Sequence, residues 1–172
     1  MPWTTPKTWA AGEVLTAANL NLYLRDNTEM MGASRPAARI VQGTGTTLTS
    51  GVGANLLFDT ESFDVGALHS TSVNTDRMTI STAGLYLFQA TVSFPANATG
   101  YRRAVIINQG GGAIAADTRS AFGTFNNEVN LVGIDRMSPG NWAAVQATQS
   151  SGGNLTTVAG FTSFCCFWIG PS

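Results

Sequence analysis

The chain has 172 residues, enough for one well-buried domain with a short appendage, and only 11% are charged against about 25% in an average soluble domain. Net charge is −1 with a single lysine, Lys7, so no basic stripe exists to neutralise phosphates, and nucleic acid is not expected as a partner. The 19 Gly, set among many Thr, Ser and Asn, point to a β-rich protein with short connections, and 44% hydrophobic residues exclude a disordered polar linker.

The N-terminus shows no basic region followed by an apolar core, and no apolar run approaches the roughly 20 residues that cross a bilayer. Synthesis and folding in a cytoplasm are therefore expected, with no membrane partner. Residues 1–15 carry Trp3, Trp9, Pro2 and Pro6 in a stretch too irregular for a helix or strand. A free tail has little reason to display two indoles. They either fold back onto the main domain or plug into another protein.

Thr16 reads as an N-cap opening a helix that Gly32 ends. Leu20, Tyr23, Leu24, Asn27 and Met31 form one narrow stripe, similar to a coiled-coil seam. A helix this short needs a packing surface: the domain, copies of itself, or a docking partner. Pro36 blocks continuation, so residues 1–37 are expected to form an arm, helix and hinge, and 38–172 a separate β domain.

From Ile40 the period becomes strand-like. In Gly84–Phe94, Tyr86, Phe88, Ala90, Val92 and Phe94 share a core face, and Leu85 and Leu87 lie on the other. Further strands are expected at Leu56–Phe58, Arg77–Ile80, Tyr101–Asn108, Glu128–Asp135, Trp142–Gln149 and Thr162–Ile169, with Gly- and Pro-rich breaks between them. Short strands at this spacing indicate an antiparallel sandwich or barrel. The last strand is apolar on both faces, with Phe164, Cys166 and Trp168 on one and Cys165, Phe167 and Ile169 on the other. Its second face is then covered by a neighbouring subunit, or by the chain's own loops or helix.

Catalytic chemistry is sparse. His69, the only histidine, reads as a surface loop residue with no nucleophile elbow nearby. Asp59, Glu61 and Asp64 cluster in one loop; they are solvated or offer oxygens to an ion, at a spacing that matches no established calcium loop. Adjacent Cys165 and Cys166 suit neither a disulfide nor a zinc site and read as small hydrophobes facing opposite ways. Arg102 and Arg103 also point to opposite faces, a poor anion clamp, and are expected to keep a strand end solvated. Gly110–Gly112 precedes no helix with a Lys, so a phosphate loop is not supported. No catalytic residue, cofactor or metal is expected.

Phe58-Asp59, Phe63-Asp64, Arg77–Ile80 leading into Gly84–Phe88, Ala104–Asn108, Met137–Asn141 and Ser163–Gly170 follow one another as in the jelly roll of the complement globular-head and tumour-necrosis-factor superfamily. The resemblance covers about residues 40–170, departing at Asn141, where members usually carry Asp. It implies an all-β, antiparallel two-sheet jelly-roll sandwich that assembles as a homotrimer, with Leu85, Leu87, Phe164, Cys166 and Trp168 at the trimer interface. A second, shorter resemblance lies in Trp3, Pro6, Trp9, Gly12–Ala17, Leu20-Asn21 and Leu24–Asn27, which look like the start of many tailed-phage virion proteins. By that resemblance Trp3, Pro6, Trp9, Glu13 and Leu15 anchor the chain to other virion proteins of tail or capsid. The expectation is a non-enzymatic virion-surface appendage, made in the host cytoplasm, tail- or fibre-associated and binding a host cell-surface glycan or protein. A head-decoration protein or head fibre is the alternative, and a stand-alone soluble ligand- or glycan-binding module the second.

Overall fold

The structure, a computed structural model, describes residues 3–171. Thr16 does cap the helix, its Oγ1 accepting from the Asn19 amide at 3.1 Å. The helix runs through Ala17–Leu20, a π-turn over Asn21–Arg25 and then Asp26–Met31, and the Gly32 amide closes it on the Thr28 and Glu29 carbonyls. Its packing surface is the chain itself. Met30 is fully buried in the core, and Asn27 is buried against the arm. The Asn27 amide pairs with the Thr4 backbone, donating to its carbonyl at 2.7 Å and accepting from its N–H at 3.1 Å. The expected seam is therefore rotated. Tyr23 and Asn27 lie on the packed side with Met30, while Leu20, Leu24 and Met31 stand exposed, because one residue along a helix turns the side chain by about 100°.

Among the described residues twelve strands follow: β1 (Ala37–Val41), β2 (Thr47–Leu48), β3 (Ala54–Asn55), β4 (Thr60–Val65), β5 (Arg77–Thr79), β6 (Gly84–Phe94), β7 (Tyr101–Asn108), β8 (Ala113–Ser120), β9 (Asn127–Met137), β10 (Trp142–Gln149), β11 (Leu155–Thr156) and β12 (Ser163–Gly170). One sheet runs β4-β1-β12-β6-β9, the other β3-β10-β7-β8 with β5 also on β10, and β2 pairs with β11. These pairings are antiparallel. This is the two-sheet antiparallel jelly roll, with an extended arm and one short helix ahead of it.

The alternation in β6 sets the core. Tyr86, Phe88, Ala90, Val92 and Phe94 point inward and are buried, and Phe88 stacks on Phe164 with ring centroids 6.0 Å apart. Tyr86 satisfies its buried hydroxyl by donating to the Thr82 carbonyl at 2.8 Å, as a phenol taken out of water requires. Arm and helix sit at the end where β6 begins and β12 finishes, since the Trp168 amide bonds the Pro36 carbonyl and Trp3 packs on Trp168. The opposite end carries the turns between β6 and β7 and between β8 and β9.

Candidate functional site

The five-stranded sheet has one face in the core and one outside, and the outer face is apolar at its arm-proximal half. Register places Phe167 opposite Ala37 and Leu87, Ala37 opposite Val65, and Leu87 opposite Ile134. The result is one apolar row across five strands. Phe63 and Val132 flank it in the next row, and Ile169 lies on its other side. Phe167, Ile134 and Val132 are 41%, 59% and 63% exposed. Toward the far end the face turns polar, with Thr91 Oγ1 donating to Asn130 Oδ1 at 2.8 Å. An outer sheet face in contact with water is ordinarily polar along its length.

This register corrects the expected interface set. Leu85 and Leu87 lie outside and are half-buried, but Phe164, Cys166 and Trp168 lie on the opposite face, at 0%, 2% and 1% exposure. Those three are core. Trp168 donates from Nε1 to the Ala83 carbonyl at 3.1 Å. The side chains of β12 that a neighbour could touch are Phe167 and Ile169, with Cys165 on the same face at half burial.

The arm folds back on its own chain. Trp3 lies 6.1 Å from Trp168, and Trp9 meets Tyr23 edge to face at 5.9 Å. Lys7 sits over the Trp9 ring at 4.8 Å and pairs with Glu13, whose second oxygen accepts from the Ala10 amide. Of the expected anchoring residues, Trp3, Trp9 and Glu13 are thus engaged internally, and Pro6 and Leu15 remain exposed. Val14, Leu22, Leu24 and Met31 are exposed as well.

His69 is not a surface side chain. Its ring has no solvent-accessible area although the residue as a whole is half-buried, and its Nδ1 lies 2.9 Å from Glu61 Oε1. Asp64 is used to accept from the Leu68 and His69 amides at 3.0 and 2.9 Å, and Asp59 accepts from the Gly43 amide. Glu61 and Asp64 lie on β4 rather than in a loop; each of the three carboxylates has its own partner, and among the described residues no His, Cys, Asp and Glu group is placed to hold a metal ion. Both cysteines are free, and burial raises the pKa of each thiol above its ordinary value, which removes the thiolate a nucleophile needs. Asn108 Oδ1 occupies the Gly110 and Gly112 amides at 3.2 and 3.0 Å, so that loop presents no free amide cradle from those positions.

Arg102 departs furthest from expectation. Arg103 is exposed, but Arg102 points into the sandwich with 0% exposure. Its Nη1 donates to the Thr99 and Tyr101 carbonyls at 3.1 and 2.9 Å, and its Nη2 to the Asn97 carbonyl at 3.0 Å. No carboxylate pairs with it among the described residues. An arginine next to another arginine at a strand start gives no sequence sign of burial; the carbonyls of the preceding turn supply the reason.

No family model and no curated protein sequence matches the chain. Solved structures do match its fold. Murine APRIL at pH 5.0 superposes with a TM-score of 0.63 at 14% identity, over 78% of this chain and 99% of that one. The globular domain of zebrafish complement 1qA gives 0.60 at 13% identity, over 80% and 100%. Eiger TNF from S. frugiperda gives 0.57 at 11% identity, over 80% and 96%. At such identities the likeness concerns the fold, which is that of the complement-head and tumour-necrosis-factor jelly rolls.

Proposed function

We propose that the protein is a non-enzymatic binding module that works as a homotrimer on the surface of a tailed-phage virion. The apolar row from Val65 through Phe167 and Leu87 to Ile134 carries this reading. An apolar patch spanning a whole sheet marks an association surface, and a second and third copy of the same face would cover it. Three copies rather than two follow from the superfamily that the β pattern resembles, whose members trimerise. The closing of the row at the polar Thr91–Asn130 end leaves the loops there free for a ligand, and three such sites act together on a repetitive host surface.

The virion assignment is supported by the sequence resemblance of residues 3–27. The internal packing of Trp3 and Trp9 shifts the attachment from those indoles to the exposed side chains of Leu15, Leu22 and Leu24. The test is to replace these three by Ser and count copies per particle after infection. Retained trimer mass with lost incorporation is the expected result; undiminished incorporation overturns the attachment. Deleting the whole segment is a poorer test, since Met30 belongs to the core. Mass spectrometry of separated heads and tails distinguishes a tail or fibre position from head decoration. The fold-back of both indoles favours the second reading, a stand-alone soluble ligand-binding module, and that reading gains if no particle carries the chain.

A further inference from the structure

At the end of the sandwich away from the arm, a cavity of about 280 Å³ lies between the start of β9 and the end of β8, lined by Arg102, Arg119, Ser120, Phe122, Asn126 and Glu128 among others. Arg102 and Arg119 are register partners on β7 and β8, so two guanidiniums share one face, an arrangement that repels unless an anion lies between or beside them. Arg119 has an exposed partner in Asp117 at 2.7 Å, a pair that solvent makes weak. Arg102 has none. Its Nε is buried without any acceptor, and Nη2, which carries two hydrogens, spends one on Asn97. A buried donor left unpaired costs about 1–3 kcal/mol, and a bound acceptor at this cavity would recover it.

We propose that this cavity binds an acidic sugar, a hydroxylated ring bearing one carboxylate. The carboxylate accepts from the Arg102 and Arg119 side, the planar fork being suited to it. Glu128, which pairs with neither arginine among the described residues, offers acceptors for ring hydroxyls and repels a dense anion such as phosphate. Ser120 and Asn126 supply further hydroxyl partners, and exposed Phe122 an apolar surface for the ring. The volume lies near the lower end of ligand sites, about 300 Å³, and fits one sugar unit rather than a chain. The inference deepens the binding role proposed above and rests on it, but not on the trimer, because one chain lines the cavity.

Titration calorimetry of the full chain with glucuronate, glucose and sulfate tests it, with oligomeric mass measured on the same samples so that loss of assembly and loss of binding are read separately. Glucuronate is expected to bind saturably with a Kd of about 1 mM, at least fivefold more weakly in Arg119→Gln and more tightly in Glu128→Gln, while glucose gives no heat. Arg119 is exposed, so that variant keeps the fold where an Arg102 replacement could lose it. Absence of saturable glucuronate binding, or equal binding by Arg119→Gln, overturns the proposal, and so does sulfate binding more tightly than glucuronate.

Discussion

Replacing Val132 and Ile134 together by Ser removes two neighbouring members of the outer apolar face without adding a charge that Arg136 could neutralise. Both side chains point away from the core and are 63% and 59% exposed, so the single chain loses little. Fully burying such a side chain contributes about 1.5–3 kcal/mol. The solvent-facing portions of the two then contribute about 2–4 kcal/mol per copy if a neighbour covers them, or at least ~6 kcal/mol over three copies. At 1.4 kcal/mol per factor of ten, that weakens trimer formation by roughly four orders of magnitude. Sedimentation equilibrium over a concentration series reads the change, with circular dichroism confirming that the variant is folded. A double variant that keeps the wild-type association constant while folded would refute the assignment of this face to self-association.

Other perturbations separate fold from assembly. Trp168→Asp is expected to unfold the chain, since it places an unpaired carboxylate in the core; a folded variant by circular dichroism contradicts this. Met30→Ala should lower stability to denaturant by about 2–5 kcal/mol, showing that the helix is part of the folding unit, and an unchanged midpoint would place the helix outside it. Gly84 adopts φ of +156°, and a Cβ there would overlap the Trp168 indole and the Gly170 carbonyl. Gly84→Ala is therefore expected to reduce the denaturation midpoint by an amount equivalent to about 1–3 kcal/mol, and full wild-type stability would show that the close approach is absent. Burial works to raise the Asp76 pKa, but hydrogen bonds from Arg77 and Asn55 together bring it below the ordinary value. Its stabilisation is thus present above about pH 4 and lost as pH falls through the lower folded pKa. The melting-temperature gap between wild type and Asp76→Asn should narrow on acidification below that pH, and a constant gap refutes the linkage.

Strands with strong alternation were legible in the sequence: β6, β7 and β10 fall at the predicted bounds, because each shows the core a regular apolar face. Strand β8 was not, since it is a largely exposed edge of small and polar residues with no apolar period to read. Leu56–Phe58 shows the opposite failure. Leu56 and Phe58 do face the core, but their amides bond separately to Val145 and Thr75, so no continuous ladder forms. The doubly apolar β12 puts Phe164, Cys166 and Trp168 in the core and leaves Phe167 and Ile169 exposed on the outer face. Which face lies inside depends on its pairing with β6, a long-range register that composition does not carry. Trp3, His69 and Arg102 share one cause of error. Their burial comes from Trp168, from Glu61 with its loop, and from the turn before β7, contacts that close only when the chain has folded.

The most direct test of a self-covering sheet face is the solution mass of the unmodified chain by multi-angle light scattering. Three times the 18.0 kDa chain mass is expected, maintained on dilution into the micromolar range. A monodisperse species of 18.0 kDa with the apolar face open to solvent would contradict it.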